Sequence, residues 1–112
     1  MNRFELYCMV FYVLDAEWDD NHSEKLGEFL SAANPFLFAD IGSADPAIYA
    51  DFCKKVSERI PIEHSFAVAS SYVATLDNAD ISYAFSSIDP NEWDESVREY
   101  LSSEHKGSDI AE

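Results

Sequence analysis

The sequence predicts an all-α fold, a compact bundle of five to six short helices. Three observations predict it. Apolar residues recur at three- and four-residue spacing through most of the chain. Capping residues and prolines, above all Asp45-Pro46 and Asp89-Pro90, fall where those runs begin. The 112 residues are 47% apolar and include eight Phe, six Tyr and two Trp, which suits one domain with a dense core and excludes disorder of the whole chain.

The first segment, Asn2 to about Trp18, is apolar almost without a break from Phe4 through Leu14. Periodicity alone does not separate a buried helix from a buried strand in such a run. Its length, and the presence of only Val10 and Val13 as β-branched residues, favour a central helix covered on most sides. If residues 4–14 form a strand instead, the class becomes α+β.

A second helix is expected over Glu24 to Ala33, with Leu26, Phe29, Leu30 and Ala33 on one face. Asn21 followed by Glu24 comes closer to a capping box than Ser23 followed by Leu26. Pro35 ends this helix. Residues 34–43 are apolar yet bracketed by Pro35 and Gly42, so they read as a buried loop or short helical turn that plugs the core. Asn34, Asp40 and Ser43 are placed to satisfy its backbone.

Asp45-Pro46 opens a helix expected to run to about Ile60, where Pro61 stops it; Lys54, Lys55 and Arg59 gather near its end and suit the macrodipole. A helix follows from Glu63 to Leu76. A short one spans Ile81 to Ser87, with Tyr83, Ala84 and Phe85 as contacts. The last runs from Pro90 to about Ser102 and buries Trp93, Val97, Tyr100 and Leu101. Residues 1–102 then form a single helical domain, and 103–112 a polar, disordered tail.

The chain carries 22 acidic and 7 basic residues, a formal net charge of −15. That field repels nucleic-acid phosphates and anionic lipid, and accelerates encounter with a basic protein. The apolar run Leu6 to Leu14 is followed by Asp15-Ala16-Glu17-Trp18-Asp19-Asp20, which is no signal-peptidase site, and the run is shorter than a membrane span. Cys8 and Cys53 lie in apolar patterns and read as buried thiols in a reducing compartment; the expected location is the cytoplasm.

Tests for chemistry are negative. Asp15, Glu17, Asp19, Asp20 and Glu24 form the densest acidic cluster, but a calcium loop counted from Asp15 has Asp20 where Gly is required and Leu26 where Glu is required. His22, His64 and His105 are scattered, and neither cysteine has a close Cys or His for zinc. Cys8 or Cys53 with His64 is conceivable only in space, Ser70-Ser71 lacks a nucleophile elbow, and three glycines supply no phosphate-binding loop. No cofactor, metal or enzymatic activity is expected.

The expectation is therefore a small acidic protein-binding module, such as an inhibitor or immunity protein that neutralises a basic partner of the nuclease-toxin kind. The alternative is a structural or regulatory subunit that forms a homodimer. Aromatic anchors set among charges mark the expected contact residues: Asp15, Glu17, Trp18, Asp19, Asp20, Glu92, Trp93, Asp94 and Glu95.

Overall fold

A computed structural model describes residues 1–20 and 22–108. Among these described residues six helices make up the fold: α1 (Arg3–Trp18), α2 (Glu24–Ala33), α3 (Pro46–Lys55), α4 (Ile62–Thr75), α5 (Ala79–Phe85) and α6 (Pro90–Ser102). The all-α class holds, and the 4–14 segment is helical.

Helix α1 organises the rest. Every residue from Phe4 to Phe11 is buried, as is Leu14. A helix apolar around its whole girth needs cover on all sides, and α2, α3, α4 and α5 all pack against it. Helix α6 lies on α4 and reaches α1 through Tyr100, whose ring centroid is 5.7 Å from that of Tyr12. Two aromatic nests fill the spaces between helices. In one, Tyr7 meets Tyr49 and Phe52 at 5.1 Å each, and Phe52 meets Tyr72 at 4.7 Å. In the other, Phe66, Phe85 and Trp93 form a triangle.

Local chemistry sets the helix starts. At α1, Asn2 Oδ1 accepts from the Glu5 amide and Glu5 Oε1 accepts from the Asn2 amide, both at 2.8 Å, a complete capping box. Asp45 and Asp89 cap α3 and α6 with proline following, as expected. Helix α2 is capped by Ser23, whose Oγ accepts from Leu26 N; the Asn21 alternative lies outside the described residues. Asp77, just past α4, sits at φ 49, the left-handed position that closes a helix and that Asp tolerates.

Three expectations are corrected. Helix α3 stops at Lys55, short of Ile60, because the chain beyond it pairs antiparallel with the chain start in a single bridge, Arg59 with Asn2: Arg3 N donates to Glu58 O at 3.0 Å and Ile60 N to Met1 O at 2.9 Å. Arg3 Nη1 also reaches the carbonyls of Cys53 and Val56 that the helix end leaves open. The loop after α2 does not plug the core: Phe36, Leu37, Phe38 and Ile41 are exposed, and only Pro35 and Ser43 at its ends are buried. The polar tail is ordered over its first part. Ser103–Ser108 fold back on the start of α1, where Gly107 O accepts from Asn2 Nδ2 at 3.1 Å; residues 109–112 lie outside the described residues.

Two variants test this packing. Trp93 Nε1 donates to Ser65 Oγ at 2.9 Å, and Ser65 Oγ donates to Ile62 O at 2.6 Å. Ser65→Ala strands a buried indole N–H, so urea unfolding should show a loss of about 1–3 kcal/mol. Gly27 lies mid-helix, where Ala would ordinarily add about 1 kcal/mol. A Cβ there would stand 2.7 Å from the Trp18 ring. Gly27→Ala should therefore lower the melting temperature and alter Trp fluorescence, the reverse of the propensity effect.

Candidate functional site

The expected contact residues divide. Asp15, Asp19, Asp20, Glu92 and Glu95 are exposed, while Glu17, Trp18 and Asp94 are half-buried. Trp93 is 1% exposed and is a core residue, so its place in an interface is corrected. It occupies the apolar stripe of α6 one turn before Val97, and α4 supplies its hydrogen-bond partner. Trp18 lies against Gly27 and stands 5.0 Å from His22, which closes the turn between α1 and α2. Asp94 pairs with Arg98. The two acidic segments thus sit on different helices with different neighbours.

Among the described residues, no group of three or more His, Cys, Asp or Glu is placed to hold a metal ion. Cys8 is fully buried and Cys53 half-buried; both are free thiols. His64 is exposed. Burial pushes the Cys8 thiol up to about 12, so it stays protonated and is a poor nucleophile. Burial likewise raises the phenols of Tyr7, Tyr49, Tyr72 and Tyr100.

The prominent surface feature is the connection between α2 and α3. Leu37 and Phe38 are each 61% exposed, Ile41 45% and Phe36 38%. Tyr12 of α1, 44% exposed, extends this patch, with its ring stacked on Phe36 at 5.3 Å. Isolated exposed apolar residues are ordinary, whereas four within one loop, with Tyr12 stacked on the first of them, make a candidate contact surface.

Two concave surfaces lie near these residues. One, of about 330 Å³, lies between the loop and the start of α3 and is bordered by Phe38, Ile41 and Tyr49. The other, of about 460 Å³, lies between α1, α6 and the returning tail; Met9, Tyr12 and Tyr100 form its apolar part and Glu99 and Glu104 its acidic part. Asp40 within the loop and Asp45 just after it are exposed as well.

The loop's ends and interior are held differently. Ala44 N donates to Asn34 O at 2.9 Å and Asp45 N to Ala32 O at 2.8 Å, which pins the ends. Asn34 Oδ1 accepts from Phe36 N at 2.8 Å. Inside the loop, Lys106 Nζ donates to the carbonyls of Pro35, Phe38 and Asp40 at 2.5, 2.8 and 2.8 Å. His105 beside it has Nε2 2.6 Å from Glu5 Oε2 and Nδ1 2.6 Å from Ser103 O. The His105–Glu5 contact is an ion pair whenever the ring is protonated.

In comparisons with known proteins, no family model, curated protein or solved structure matches the chain.

The raised thiol value has a pH consequence. The unfolded Cys8 thiol ionises near its ordinary 9.0 and the folded one near 12. Between these values the unfolded state has released a proton that the folded state keeps, so stability falls as pH rises through that window. Urea midpoints should decline above about pH 9 for the native chain and less so for a folded Cys8→Ala variant.

Proposed function

We propose that this protein is an acidic protein-binding module that docks a basic partner through the apolar loop Phe36–Ile41 and Tyr12. The observation that carries the reading is the exposure of Phe36, Leu37, Phe38 and Ile41 within one loop, with the exposed Tyr12 stacked on Phe36, on a chain of net charge −15. Such a patch is unfavourable in water unless a partner covers it.

Charge selects the kind of partner. Several of the few cations are engaged within the protein: Arg3 on the α3 carbonyls, Lys55 with Asp51, Arg98 with Asp94 and Lys106 on the loop. The exposed carboxylates, Asp15, Asp19 and Asp20 among them, steer a basic surface toward the molecule, and the apolar loop then forms the dry centre of the contact. The finer form of the reading is a stoichiometric inhibitor, of the immunity-protein kind, whose acidic array stands in for the phosphates a basic nuclease reads. Its support is the charge together with the small size.

Self-association through the same loop is the second reading, favoured by the same exposed side chains. Charge opposes it, because two copies would bring like net charges of −15 together at the rim of the contact. Screening at physiological salt, with a Debye length of about 8 Å, weakens that repulsion without reversing it.

Capture from native lysate with the unaltered protein, a Leu37→Ser/Phe38→Ser variant and an Asp19→Lys/Asp20→Lys variant tests the reading. A basic protein retained by the first and lost with the loop variant is expected. The charge-reversal variant should bind it more slowly, with a shallower salt dependence. Equal retention by the loop variant refutes the assignment. A concentration-dependent dimer in sedimentation that the loop substitutions abolish transfers the loop to self-association.

A further inference from the structure

The docking loop has no helix or strand to give it shape. Its ends are pinned by the backbone bonds at Asn34 and Ala32, but the residues between them expose large apolar side chains that water would drive inward. Something must hold the backbone so that Leu37 and Phe38 stay out.

Lys106 is placed to do so. An ammonium group has three donors, and here the three reach Pro35 O, Phe38 O and Asp40 O. Three carbonyls spread over six residues meet at one point only if the chain curves around that point. The ammonium therefore sits at the focus of the loop's curvature. The ammonium also meets the Phe4 ring at the start of α1, with Nζ 5.5 Å from its centre.

The segment that carries Lys106 is anchored on both sides of it. Before it, His105 meets Glu5 Oε2, and its ring lies tilted against that of Tyr100 with centroids 4.2 Å apart. After it, the Gly107 carbonyl accepts from Asn2 Nδ2, and Gly107 sits at φ 88, a backbone state that disfavours other residues. These anchors lie at the N-cap and first turn of α1 and on the last turn of α6.

We propose that Ser103–Ser108 is a strap that sets the shape of the loop, with Lys106 as the positioning residue of the docking face. This rests on the reading of that loop as the docking surface. The strap acts through the backbone and leaves the apolar side chains available to a partner. Changing the strap should therefore alter the face without altering any residue on it.

Limited chymotrypsin digestion followed by mass spectrometry is the test, since Phe36, Leu37 and Phe38 are cleavage sites in the loop itself. Lys106→Met keeps the apolar stem and removes the donors. Lys106→Arg keeps the charge but presents a planar fork that does not fit three converging carbonyls. Both should raise cleavage at these bonds by about tenfold, the effect of losing one charge-assisted hydrogen bond of ordinary strength. Lys55→Met, the same charge change on an exposed helix, should not. Urea unfolding of each variant separates loop opening from global destabilisation.

Faster cleavage in both Lys106 variants at matched global stability, with partner capture still abolished by Leu37→Ser/Phe38→Ser, supports the strap. Cleavage unchanged from the native chain overturns it. Faster cleavage combined with capture indifferent to the loop substitutions overturns the docking reading, and with it the role given to the strap.

Discussion

The rest of the structure depends on one constraint, the burial of a helix that is apolar around its entire girth. Helix α1 offers water no face from Phe4 to Phe11, and each Phe or Leu side chain it buries contributes about 1.5–3 kcal/mol. Four helices close over it. With 112 residues the chain covers one such helix and little more. The outer helices carry nine of the 22 acidic residues, Glu92, Asp94, Glu95 and Glu99 of α6 among them.

Covering α1 creates a polar problem at its first turn, where backbone N–H groups point along the axis without helical partners. The protein answers with one interlocked group. Glu5 accepts from the Asn2 amide with one oxygen and faces His105 with the other; Asn2 accepts from the Glu5 amide and donates to Gly107. The two ends of the described chain are thereby joined at the same turn, beside the antiparallel pairing of Met1–Arg3 with residues 58–60. A capping box that is ordinarily a local device here anchors the tail as well.

The sequence was most readable where structure is decided within a few residues. Asp45-Pro46 and Asp89-Pro90 mark two helix starts correctly, and the 16-residue α1 follows from the length of its apolar run. Asn2 followed by Glu5 is an equally local signal, the capping box that starts α1. Legibility fails where distant segments decide. The end of α3 depends on pairing with residues more than fifty positions earlier. Residues 34–43 have the composition of a core segment, and what holds them outward is Lys106, at the far end of the chain. Trp93 misled because its sequence neighbours are acidic, although its position in the α6 stripe turns it toward Ser65 and Phe85. Tyr83 erred the other way, since it stands 67% exposed on α5.

The same separation between local and distant effects shapes the candidate site. An apolar loop on a nearly neutral protein would invite any hydrophobic surface, including another copy of itself. Here long-range repulsion from the carboxylates acts on like-charged and anionic surfaces before the loop is reached, over roughly a Debye length. On the proposed docking reading, short-range apolar contact then acts only on what the field admits. Discrimination of this kind requires the loop to be presented at the start of the encounter, because a loop that collapsed inward would leave the field to gather partners with nothing to retain them. A backbone held from behind by an ammonium group meets that requirement and leaves the apolar side chains on the outer surface unoccupied.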